Sequence, residues 1–216
     1  MDQSLFHLIN QEWTSPALDL FMAALSNIKI WQPFIVVAAL YALIFGGFKG
    51  RALVFCIALA LLVNANVTAG LKKFIDRRRP KQVERVRMVE MARARPEFIT
   101  VFKPVTVRYS DARDRERSGP SFPSGHVMNN ATVAIILTFF FRRWGWTYFL
   151  VAAAIAWSRV YLGAHWPSDV AATFLLAVGE SALLLALLEV LYRRLVARLA
   201  PEFFLRHPRL VGDAIA

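Results

Sequence analysis

Cysteine is nearly absent: Cys56 is the only one in 216 residues. A single thiol excludes an intramolecular disulfide framework and a cysteine-based zinc site. Acidic charge is scarce too, with 15 Asp and Glu against 26 Lys and Arg, a formal net charge of +11. Long stretches lack charge of either sign. Hydrophobic residues make up 57% of the chain, above the ~45–50% of an ordinary soluble domain, and they are clumped into runs. This pattern excludes a disordered chain and argues against a soluble globular enzyme. The first residues, MDQSLFHLINQEW, have neither a basic start nor a small-residue cleavage site, so no signal peptide is expected. No internal repeat is visible.

What is present is a set of apolar runs at about 31–48, 52–71, 125–141, 144–160 and 170–191. A hydrocarbon core of ~30 Å needs ~20 mostly apolar helical residues. The runs predict an all-α integral membrane helical bundle of five to six transmembrane helices. The stretch from Ala17 to Ile28, with Leu5, Phe6, Leu8, Ile9 and Trp13 before it, reads as N-terminal interfacial helices. A sixth span beginning near Ala17 is the alternative. Short loops carrying Lys49 and Arg51, then Arg142 and Arg143, fall on the same side as the basic C-terminal tail. The positive-inside rule makes that side cytoplasmic and places 72–124 and 160–169 outside.

Fifteen of the Lys and Arg residues lie between Lys72 and Arg117, beside seven Asp and Glu. Basic charge packed next to apolar runs suits anionic lipid better than nucleic acid. The chain reads as a single membrane domain over 1–216 with an external insertion at 81–120. Within it, residues 81–95 are expected as an amphipathic helix ended by Pro96. The runs EFITVF and VTVRYS are expected to pair as a hairpin around Lys103 and Pro104, and 110–119 to form a solvated loop.

Three constellations sit at the external ends of the spans. The first is Lys72 with Arg79 and Pro80. Seven residues is close to two helical turns, so the two cations would share a face about 10 Å apart along the axis. Alone, this reads better as an ordinary snorkelling pair at a membrane edge. The second is Pro123-Ser124-Gly125-His126 before an apolar helix. Ser124 suits an N-cap, Gly125 lets backbone approach a ligand, and free N–H groups at a helix start favour an anion. The third is Ser158-Arg159, then His165, then Asp169. His165 and Asp169 are four apart, so a helical turn would let the carboxylate reach the imidazole, fixing its tautomer and leaving the other nitrogen as a nucleophile. Three positive charges (Lys72, Arg79 and Arg159) match the charge that spreads over a phosphoryl group in its transition state.

These three motifs, K-x6-R-P, P-S-G-H and S-R-x5-H-x3-D, resemble those of the type-2 phosphatidic acid phosphatase superfamily and match at every motif position. The resemblance implies a membrane helical bundle and a metal-independent phosphatase that needs no cofactor. It implies that His165 attacks phosphorus to form a phosphohistidine, that Asp169 orients His165, and that His126 protonates the leaving oxygen. Lys72, Arg79, Ser124, the Gly125 backbone and Arg159 would hold the phosphoryl oxygens. The partners implied are a lipid phosphate substrate and the membrane, in a bacterial inner membrane with the site facing the periplasm or exterior. Undecaprenyl diphosphate is the favoured substrate, with lipid A and phosphatidylglycerol phosphate as competitors. A lipid-to-lipid phosphoryl transferase shares the first half-reaction. A non-catalytic anionic-lipid-binding protein and a small transporter are the readings from other classes. The first needs no nucleophile, and the second would show an inverted repeat or a broken span.

Overall fold

The structure, a computed structural model, describes residues 1–116 and 118–211. Helix α1 (Asp2–His7) runs into a π-helical turn at Leu8–Glu12. Helix α2 (Pro16–Ser26) starts on Ser15, whose Oγ accepts the Leu18 N–H at 3.3 Å, with Pro16 preset at the first position. Asn27 is extended, ending α2 and capping α3 (Ile28–Phe45) through its side-chain oxygen. The break leaves α2 with 11 residues, too few to cross a bilayer alone.

A corner at Gly46 and Gly47 turns α3 into α4 (Gly47–Ile75). Gly47 has φ +57°, and a Cβ on Gly46 would lie 2.4 Å from the Ala42 carbonyl oxygen, so only glycine makes this corner. The external segment follows, with α5 (Pro80–Val83), β1 (Arg87–Met91), a 3-10 turn at Glu97–Phe102, β2 (Val105–Tyr109) and α6 (Ala112–Glu116). Helix α7 (Gly125–Phe140) leads through a 3-10 turn at Gly145–Thr147 into α8 (Tyr148–Tyr161), then α9 (Pro167–Leu199) and α10 (Pro201–Arg206).

Helix α7 is central, packed against α4, α8 and α9. Ala52, Leu53, Cys56 and Ala60 of α4 meet Ile135, Ile136 and Phe140 of α7 and Leu185 of α9 in one apolar core. A polar seam crosses it, where the Asn64 amide lies 3.1 Å from Thr132 Oγ1 and Ser181 Oγ donates to the same oxygen at 2.9 Å. Interhelical bonds of this kind are the ordinary use of polar side chains in a bundle. Helix α3 packs mainly on α4 and the 97–102 turn and exposes most of its apolar surface, as a lipid-facing helix would.

Each of the five apolar runs contains a helix, so the fold is a helical bundle of membrane type. Three helices, α3, α4 and α9, are long and apolar enough to cross a bilayer. Helices α7 and α8, of 16 and 14 residues, reach only about 24 and 21 Å at 1.5 Å per residue.

The external segment departs from expectation. The helix expected over 81–95 stops at Val83, and 87–91 is a strand instead. Tertiary contacts override the helical pattern. Val86 is fully buried beside Phe6, Ile9 and Tyr161, and Arg87 pairs with Asp19 at 2.6 Å. The hairpin exists, and VTVRY is one of its strands, but the partner of 105–109 is 87–91 in antiparallel register rather than EFITVF, which forms the 3-10 turn. Residues 112–116 of the expected loop are a short helix, and Arg117 lies outside the described residues.

Candidate active site

All three motifs arrive at one end of the bundle, each by its own local geometry. Helix α4 stops after Ile75, with Asp76 in the left-handed region at φ 40°. Lys72 is therefore helical and Arg79 is not, so the expected shared helical face does not form. The loop itself turns Arg79 inward, where its Nε donates to the Gly119 carbonyl at 2.9 Å and its Nη1 to the Ala164 carbonyl at 3.2 Å. Trp166 holds this loop from the other side through Nε1 to the Arg78 carbonyl at 2.9 Å.

Ser124 stands at the N-cap of α7, fully buried, but makes no capping bond. Its Oγ has no hydrogen-bond partner among the described residues. Its backbone N–H donates to Thr173 Oγ1 of α9 at 3.0 Å, fixing the turn. Open space lies on the side of Gly125 where a side chain would project. An unengaged hydroxyl and a bare glycine at a helix N-terminus are groups that can receive an anion.

The α8–α9 connection carries the third motif. Gly163 takes φ +68°, and a Cβ there would strike Val86 Cγ1 at 2.1 Å, so this tight link needs glycine. His165 follows, 2% exposed. Its pKa is held well below the ordinary histidine value, first by burial and then by Arg79 and Arg159; a bond from the ring to the Ser121 backbone opposes this and Lys72 reinforces it. All three motif cations thus act on the same imidazole. Burial also lowers the Arg79 pKa, and Asp169 opposes that shift.

Asp169, fully buried, does not meet His165 directly as the four-residue spacing suggested. Its Oδ2 accepts from Ser121 Oγ at 2.5 Å and from the Trp166 N–H at 3.1 Å, while Oδ1 accepts from Arg77 Nη1 at 2.7 Å. Ser121 Oγ in turn lies 3.5 Å from His165 Nδ1. The carboxylate caps the first turn of α9, so it faces back toward its own helix, and the serine bridges the gap.

The N-terminal helices also reach the site. Arg159 Nη1 bonds to Ser26 Oγ, leaving its buried Nε without a partner among the described residues. Asp2 accepts from Arg77 Nη2 at 2.7 Å and from the Ser168 N–H at 2.9 Å, steadying the Arg77 that holds Asp169. Ser26, Arg77 and Ser121 were missed by motif reading. Arg77 lies inside the K-x6-R-P stretch and Ser121 two residues before Pro123, but nothing local marks Ser26, which is 133 residues from Arg159. Among the described residues no group of three or more His, Cys, Asp or Glu gathers as metal ligands would.

Residues 49–193 match the family model described as the PAP2 superfamily. A lipid A 4'-phosphatase of Bacteroides thetaiotaomicron is 28% identical over 163 residues, 73% of this chain and 64% of that protein. An undecaprenyl-diphosphatase of Sulfolobus acidocaldarius is 42% identical over 57 residues, 26% of this chain and 28% of that protein. The chain thus spans less than two thirds of either relative. The crystal structure of Aquifex aeolicus LpxE superposes with a TM-score of 0.60 at 24% identity, over 85% of this chain and 94% of that one, a likeness of fold.

Proposed function

The chain belongs to the PAP2 superfamily, and on that premise we propose that it hydrolyses the terminal phosphate of a lipid phosphate or diphosphate at the external face of a membrane. The observation that carries the reading is the convergence of Lys72, Arg79, Arg159, the free Ser124 hydroxyl and two histidines at one end of an apolar bundle.

In this reading Lys72, Arg79, Arg159, Ser124 and the Gly125 N–H hold the phosphoryl oxygens and stabilise the charge that builds on them. His165 presents Nδ1 to Ser121, which leaves Nε2 to attack phosphorus. A neutral imidazole is the nucleophilic form, and the depressed pKa keeps it neutral. As the phosphorus–oxygen bond to the leaving group breaks, His126, entering the step as imidazolium, gives its proton to the leaving oxygen. Water then attacks the phosphohistidine, returns a proton to His126 and releases phosphate. Asp169 steadies His165 as it becomes cationic. No step needs a metal ion. The short basic flanks at Lys49 and Arg51 and at Arg142 and Arg143 support a reading in which five spans leave the site outside, in the periplasm of a bacterial host.

Undecaprenyl diphosphate is the first substrate to test. Lipid A is the second, favoured by the length of the match to a lipid A 4'-phosphatase. The test is phosphate release by detergent-purified protein in EDTA, with undecaprenyl diphosphate, lipid A, phosphatidylglycerol phosphate and phosphatidic acid, beside His165→Ala. Release lost in the variant is expected. No release from folded protein turns the reading to a transferase that needs an acceptor lipid, and EDTA-sensitive release overturns metal independence.

A further inference from the structure

A cavity of about 460 Å³ opens from the candidate active site toward the external segment. This is far more than a phosphate group fills and lies within the ~300–1,000 Å³ range of small-molecule sites. His126, Arg159 and Ser26 line it where the phosphoryl group is read to sit, and Lys29, Arg93 and Glu97 line it too. One short stretch of chain joins the two ends of the cavity: Ser26 bonds to Arg159, and three residues on Lys29 pairs with Glu97 at 2.8 Å. Glu97 engages Lys29, while Arg93 lines the same cavity.

The two positive groups belong to parts of the molecule that the three motifs do not touch. Lys29 opens α3, and Arg93 lies between β1 and the 97–102 turn. Both fall outside what phosphoryl transfer needs, since Lys72, Arg79 and Arg159 already surround His165. A headgroup entering this cavity with its scissile phosphate at Arg159 lays its next few atoms along Ser26–Lys29, against these two cations.

We propose that Lys29 and Arg93 form a second anion subsite, and that the cavity selects lipids whose headgroup carries another anionic group besides the scissile phosphate. This rests on the phosphatase reading above and narrows its substrate class. Diphosphates and headgroups bearing two phosphates qualify, whereas phosphatidic acid does not. Glu97 tempers the subsite by occupying Lys29 until an anion competes for it.

The test compares phosphatidylglycerol phosphate with phosphatidic acid of the same acyl chains in mixed micelles. Binding is measured in the His165→Ala background, and kcat/KM in the active protein. Preference for the two-phosphate lipid is expected, falling about tenfold in Arg93→Gln and in Lys29→Gln, the size of one charge-assisted hydrogen bond. Glu97→Gln should raise the preference instead, which a purely structural role of the Lys29–Glu97 pair would not do. Equal binding of the two lipids, or a preference that all three variants leave unmoved, overturns the subsite. Absence of hydrolysis with the binding preference intact would overturn the phosphatase reading and leave the subsite standing.

Discussion

The bundle end that holds the three motifs and the external segment beside it differ in how their residues are held. In the first, Ser121, Ser124, His165 and Asp169 are almost wholly buried, and each is pinned by helices that pack on one another along their length. In the second, a two-stranded hairpin and short turns rest on a few ion pairs, and much of the surface is exposed. On the reading proposed above, the chemistry sits on the buried bundle end, while of the two residues that would discriminate between headgroups Arg93 lies in the hairpin segment and Lys29 at the start of α3.

The sharpest way to break this comparison is at the nucleophile. His165→Ala should lower phosphate release by on the order of 10³-fold or more while leaving the thermal transition of the bundle near that of the wild type. Brief incubation with labelled substrate and an alkaline quench should trap label on the wild-type protein and none on the variant. Trapping in the variant would assign the nucleophile elsewhere.

The next largest effect concerns the bridge. Ser121 Oγ stands between Asp169 and His165, so in the proposed mechanism Asp169 reaches the imidazole through a positioning residue. Ser121→Ala and Asp169→Asn should each lower kcat about 10- to 100-fold with little change in KM, and the double variant should be no worse than Asp169→Asn alone. Multiplying losses would show that the carboxylate acts without the serine. Ser121→Thr, which keeps the hydroxyl, should recover most of the activity.

How much of this was legible beforehand follows from what a sequence motif encodes. The K-x6-R-P, P-S-G-H and S-R-x5-H-x3-D spacings bring the right residues to one site because each sits at the end of a helix, and apolar runs announce helices. The same spacings misled on contacts. Lys72 and Arg79 do not share a helix, since Asp76 ends it, and Asp169 turns toward the Trp166 N–H rather than His165. In the external segment the apolar spacing of 83–91 fitted a helix, yet Val86 and Arg87 are claimed by Phe6, Ile9 and Asp19 from the far N-terminus. Contacts between residues about 70 apart leave no trace in local periodicity.

The Arg87–Asp19 pair offers a stability test of the seam between the two regions. Arg87 Nη2 meets Asp19 Oδ2 at 2.6 Å, and Tyr161 donates to the other oxygen at 2.7 Å. Both charged side chains are nearly buried. Arg87→Ala leaves the carboxylate uncompensated and should cost about 3 kcal/mol, seen in denaturant unfolding; the double variant with Asp19→Asn should recover part of it. The pH profile tests the rigid side. The depressed His165 pKa, set first by burial and then by Arg79 and Arg159, keeps the nucleophile neutral at pH 6.5. The acid limb of kcat/KM assigned to His165 should therefore fall below the ordinary histidine value, and a limb at or above pH 6.5 would contradict the geometry.

The smallest effect should come from the outer face of the hairpin. Arg108 reaches Glu90 at 2.6 Å across the strands and Asp114 at 2.5 Å on α6. The geometry is good, but the Arg108 side chain is about one third exposed, so solvent screens the attraction and ordering a long side chain offsets it. Arg108→Ala should lower stability by no more than about 1 kcal/mol and, away from both the motif residues and the cavity, leave kcat/KM within about twofold of the wild type. Raising the salt concentration should shrink even that difference. A large loss of activity with folding preserved would mean that the hairpin transmits strain to the helix ends after all, and the division between a rigid chemical end and a variable outer wall would have to be redrawn at β2 rather than at the start of α5.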